Sequence, residues 1–123
     1  MDNEFEEAVN QSNYRAIFEN QKEKLKEILQ GQLIYSYNGG QFKLNILLFS
    51  EILLYLGEGK MQHTILDMHL NPIRINILED FLKEIRSRHA EAINKYTVEV
   101  AKLKKSRQIA TLVQLDLEDD NEE

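Results

Sequence analysis

An α+β fold is the class this 123-residue chain predicts, and three observations predict it. Apolar residues recur at helical spacing through both ends of the chain, two short alternating stretches are each closed by a turn signal, and one dense apolar run lies between them. The resulting architecture is an N-terminal helix, two short β-hairpins flanking a buried central helix, and a long C-terminal helix with a coiled-coil-like seam.

The first helix opens at Asn3, which has the reciprocal spacing of a capping box with Glu6; Phe5, Val9, Ile17, Leu25, Ile28 and Leu29 then lie near one face. Gly31 is the expected stop. Asn10-Gln11-Ser12-Asn13 is poor helix sequence, a place for the helix to break, with Ser12 or Asn13 capping a second piece over residues 14–30.

Leu33, Tyr35 and Tyr37 alternate with Ile34 and Ser36, and Asn38-Gly39-Gly40 supplies the positive backbone angles of a tight hairpin turn. Phe42 and Leu44 return on the second strand. No Walker-type lysine or wider glycine spacing follows, so the glycine pair speaks to topology and not to phosphate. Asn45 caps the run Ile46 to Leu56, which is apolar almost all round and closed by Gly57 and Gly59, the pattern of a helix in the middle of a fold. The run is too short to span a bilayer, so no membrane is expected as a partner. Thr64 to Leu70 reads as a strand with Leu66, Met68 and Leu70 on one face, Asn71-Pro72 as a turn, and Ile73 to Ile75 as the returning strand.

Asn76 with Glu79 starts the long helix, about residues 77–113, which contains no Gly or Pro and would form a rod of roughly 50 Å. Leu82, His89, Tyr96, Leu103 and Ala110 recur every seven residues along it, and with Ile85 and Val100 they form a candidate partner-binding seam. Either the first helix folds back along part of this rod or a second copy of the chain does. His89 within the seam either fixes register, as a polar residue does in a coiled coil, or makes the pairing pH-sensitive.

Residues 1–113 thus make one small domain, followed by an acidic mobile tail over 114–123. The net charge of −6 hides an asymmetry: residues 81–107 carry eight Lys or Arg against three Glu, while 116–123 carry six acids and no base. Lys102, Lys104, Lys105 and Arg107 are candidate nucleic-acid contacts, although the acids interspersed along the helix are those of an ordinary solvated face. His63, Asp67 and His69 share one side of the predicted strand, but three such residues fall short of a metal site, and the polar face of a two-sided strand explains them equally. There is no cysteine and no serine in a nucleophile-elbow sequence, so no catalytic group, metal or cofactor is assigned and an enzyme is disfavoured. Zero cysteines and a polar, acidic start, Met1-Asp2-Asn3-Glu4, point to a reducing, cytoplasmic setting.

Ile65-Leu66-Asp67 through Asn71-Pro72-Ile73-Arg74-Ile75, followed by Leu78, Phe81, Leu82 and Ile85, resembles a layout common in small accessory proteins of tailed bacteriophages, in which a hairpin feeds a helix. The likeness covers about residues 64–107, is one of layout more than of fixed residues, and carries no functional positions. It implies a virion, assembly or host-takeover role in the infected cell's cytoplasm. From the residues themselves, the expected function is a non-catalytic interaction or assembly protein that forms a homo-oligomer or binds a helical partner through the C-terminal helix. The alternative is a nucleic-acid-binding regulator using the basic cluster.

Overall fold

The computed structural model describes the backbone of residues 3–121 and the side chains of residues 3–10 and 12–109. The order is α1 (Asn3–Gln32), β1 (Ile34–Tyr37), β2 (Gly40–Lys43), α2 (Ile46–Gly57), β3 (His63–Leu66), β4 (Pro72–Ile75) and α3 (Leu78–Asn121), with two separate antiparallel two-stranded sheets. The fold is α+β, as the periodicities predict. Contacts divide the chain into two compact units, residues 28–95 and a helical unit made of the residues up to Glu27 with those from Tyr96 onward.

In the 28–95 unit, β1 pairs with β2 so that Tyr37 faces Gly40 across a two-residue turn. Asn38 (φ 51°) and Gly39 (φ 82°) both take positive φ, the primed-turn geometry whose twist matches that of the strands. Leu33, Tyr35 and Tyr37 turn inward with Phe42 and Leu44, while Ile34, Ser36, Gln41 and Lys43 face solvent. Gly40 is required for a different reason. A Cβ there would lie 2.5 Å from Ile73 Cγ1 and 2.8 Å from its Cδ1, so the two hairpins approach closely at this point. Gly40→Ala is expected to cost about 1–3 kcal/mol through overpacking, read as a lowered urea midpoint at unchanged slope.

The Asn45 side chain accepts from Leu48 N at 3.0 Å and caps α2 as expected. The helix is nevertheless buried along one stripe and not all round: Leu48 and Ile52 are inside, Phe49, Tyr55 and Leu56 are half-buried, and the opposite side is open. The second hairpin is shorter than its sequence suggests. β3 ends at Leu66, and Ile65 and Asp67 point inward whereas Leu66, Met68 and Leu70 are exposed. Side chains alternate along a strand, so choosing the wrong member of the pair inverts the whole face. Pro72 starts β4, where its missing N–H costs little.

α3 starts at Leu78, one residue later than the Asn76 cap predicts, and the amide of Leu78 donates to Met61 O at 2.9 Å. Its first two turns supply Leu78, Phe81, Leu82 and Ile85 to a core completed by Phe42, Leu44, Leu48, Ile52, Ile65, Ile73 and Ile75. Phe81 is the hub, with ring centroids at 5.1 Å from Tyr37, 5.3 Å from Phe42 and 6.1 Å from Tyr35.

In the helical unit, α1 does not break at Asn10-Gln11-Ser12-Asn13. The propensity penalty of such residues is a few tenths of a kcal/mol each, too small to interrupt a helix extended on both sides. Gly31 likewise lies inside α1, which ends with Leu33 N donating to Leu29 O at 3.0 Å. α3 stays helical past the expected end near Val113, as far as Asn121, and so takes in most of the acidic stretch; Glu122 and Glu123 lie outside the described residues. Among the described residues, no helix is long and apolar enough to cross a membrane.

Candidate interaction surfaces

The predicted seam on α3 has two fates. Leu82 and Ile85 are buried in the core of the 28–95 unit, which removes them from any partner-binding role, because a side chain already sheltered from water gains nothing from a second partner. His89 is half-buried, with Phe49 packed edge-on against its ring at 5.2 Å. In the helical unit, Tyr96, Val100 and Leu103 are half-buried, and the side chain of Ala110 lies outside the described residues. Here the chain's own α1 meets α3. Gln21 and Leu25 line one open cleft of about 370 Å³ with Glu99, Lys102 and Leu103, and Phe18 is buried with the Arg107 guanidinium 4.8 Å above its ring. Over this stretch α1 lies beside part of α3, in the sense of the first of the two arrangements the sequence allowed.

The same packing bears on the basic cluster. Lys102 pairs with Glu99 at 3.4 Å, and Arg107 stacks on Phe18, while Lys104 and Lys105 are exposed. All four predicted nucleic-acid contacts remain exposed, and the surface contacts of Lys102 and Arg107 are weak.

His63, Asp67 and His69 do not converge. The His63 ring stacks on Tyr55 at 3.9 Å, with its Nδ1 2.7 Å from Thr64 O. The Tyr55 hydroxyl donates to Glu51 Oε1 at 2.9 Å, and that bond, with burial and the Glu51 charge, raises its pKa. Asp67 lies beyond the strand end and is 5% exposed. Its Oδ2 accepts from Gln41 N, and its Oδ1 accepts from His69 N and Asn71 N, each at 2.9 Å. Met68 N donates to Gln41 O at 2.8 Å, and His69 Nε2 lies 3.0 Å from Gln41 Oε1. The loop also holds Leu70 at φ 64°, a left-handed conformation costing roughly 1–2 kcal/mol for a leucine, with its N–H bonded to Asp67 O at 3.0 Å.

A polar cleft of about 450 Å³ opens beside these groups, between the first turn and the 67–71 loop. It carries little chemistry. The backbone donor at Gln41, followed by those at Asn71 and His69, holds the Asp67 carboxyl below its usual pKa against the opposing effect of burial. A carboxylate so committed braces two hairpins and is a poor proton acceptor. Among the described residues, no three of His, Asp and Glu gather as a metal-binding set.

The surface that sequence reasoning missed is the outer side of α2. Ile46, Leu47, Leu53 and Leu54 are 72%, 76%, 54% and 63% exposed, with Ser50 and Gly57 also open between and beyond them. At 100° per residue, all four lie within about 60° of the direction of Ser50, on one continuous uncharged face opposite Leu48 and Ile52. The signal was present as the small residues Ser50 and Gly57, which share the helix side opposite Leu48 and Ile52 in a largely apolar helix. Comparisons with protein-family models, with characterised protein sequences and with solved structures gave no match.

Proposed function

We propose that this chain is a non-catalytic interaction protein whose working surface is the outer face of α2. The observation that carries the reading is the exposure of four large aliphatic residues on one helical face, when contiguous apolar patches of this kind mark binding sites. An apolar helix face is suited to another protein element and not to a polar small molecule. Oligomerisation through the long C-terminal helix receives less support, since the early seam residues Leu82 and Ile85 lie in the core and Leu103 shares a cleft with Gln21 and Leu25 of α1. A nucleic-acid role receives less support as well, because the exposed Lys102, Lys104, Lys105 and Arg107 share their helix with acids such as Glu99, as on an ordinary solvated face. The resemblance in layout of residues 64–107 to phage accessory proteins would fit an assembly or host-takeover role.

A photo-reactive amino acid placed at Leu54, with exposed Lys83 on α3 as the control position, tests the reading in cells producing the protein. Irradiation is expected to give a discrete protein adduct from position 54 and none from position 83. No adduct at 54, or equal labelling at both positions, would reject α2 as the working surface.

A further inference from the structure

The outer face of α2 is symmetric about its own midpoint, and from this we infer that its partner is a second copy of the same chain, bound antiparallel with the two-fold axis passing beside Ser50. The inference rests on the reading of α2 as the working surface and names what covers it. Ile46 and Leu47 precede Ser50 by four and three residues, and Leu53 and Leu54 follow it by three and four. A two-fold axis perpendicular to the helix therefore brings the Ile46–Leu47 pair of one copy onto the Leu53–Leu54 pair of the other, twice, which is the self-complementarity an isologous interface needs. The small side chain at the crossing point lets the two helices approach to the short end of the usual 8–10 Å.

Charge and area agree with that occupant. Each copy carries a net charge of −6, so two copies repel unless they meet through an uncharged face. This face is uncharged: Glu51, the one ionisable residue of α2 besides Tyr55, sits on its flank, half-buried and bonded to the Tyr55 hydroxyl. At roughly 200 Å² for a whole Ile or Leu, the four exposed side chains offer about 500 Å² per copy and about 1,000 Å² per pair, the size at which specific interfaces begin. An interface of this size fits a reversible dimer and not an obligate one.

The chain has no cysteine, so single cysteines introduced by substitution report the geometry without background. Sedimentation velocity of the wild type is expected to show a monomer–dimer equilibrium, weakened at least about a hundredfold in Leu53→Asp, which would bury a charge in the pair while leaving the helical circular dichroism unchanged. Mild oxidation is expected to link Ser50→Cys into a disulfide dimer and to leave Ile46→Cys unlinked, because eight residues of helix, about 12 Å, separate the two copies of position 46 in the antiparallel pair. A wild type that stays monomeric at several hundred micromolar, or Ile46→Cys linking as readily as Ser50→Cys, would overturn the inference. A monomer that still gives a photo-adduct to a different protein from position 54 would overturn the second copy alone and leave α2 as the working surface.

Discussion

Phe81→Ala is expected to remove about 3–5 kcal/mol of stability, a large share of the 5–15 kcal/mol that holds a small domain together. Phe81 is buried on the first turn of α3, and its ring meets Phe42 and Tyr37 in T-shaped geometry and Tyr35 at a tilt. Those three residues come from both strands of the first hairpin, so one side chain fastens that hairpin to the helix. Truncation leaves a cavity that the short strands cannot collapse to fill without losing their register, and edge-to-face aromatic contacts are lost as well. Urea denaturation followed by circular dichroism measures the loss. A midpoint within experimental error of the wild type would mean that the hairpin is held by something other than this ring.

Asp67→Ala is expected to lower the melting temperature by on the order of 10 °C, because it leaves the backbone N–H groups of Gln41, His69 and Asn71 without their acceptor in a closely packed loop. The same carboxylate gives the fold an acid limit. Its pKa is lowered in the folded chain, chiefly by the Gln41 amide, so the ionised form is favoured by folding. The stabilisation is present in full above the unfolded value near pH 4 and disappears as pH falls through the lower folded value. Wild type is therefore expected to lose stability below about pH 4 more steeply than Asp67→Asn, whose side chain does not titrate. Parallel acid profiles for the two proteins would show that the carboxylate is not held as described.

Local chemistry was readable wherever a few adjacent residues decide the outcome. Asn38-Gly39 demanded a tight turn and Asn45 a helix cap, and each takes that role. Composition could not say which surface covers an apolar helix. Ile46 to Leu56 is dense enough in aliphatics to be central, yet the unit offers only enough apolar surface to bury the Leu48–Ile52 stripe, and a face left for another chain reads the same in one dimension. The strand after Thr64 failed for a related reason. Three aliphatic residues, Leu66, Met68 and Leu70, suggested the inward side, but Asp67 is drawn inward by three backbone donors, one of them on the other hairpin, which no local pattern reveals. The seven-residue recurrence on α3 mixes core positions, Leu82 among them, with positions beyond the core, and periodicity alone does not distinguish a partner in the same chain, such as the part of α1 carrying Phe18 and Leu25, from one in another.

Replacing Leu47 and Leu54 together by Asp tests most directly whether the outer face of α2 serves binding and not folding. Studied by thermal unfolding at dilute concentration and by sedimentation, the double variant is expected to unfold in one cooperative transition, with each exposed substitution changing stability by no more than about 0.5 kcal/mol, and to have lost association. A variant without a cooperative transition, or one that associates as the wild type does, would contradict it.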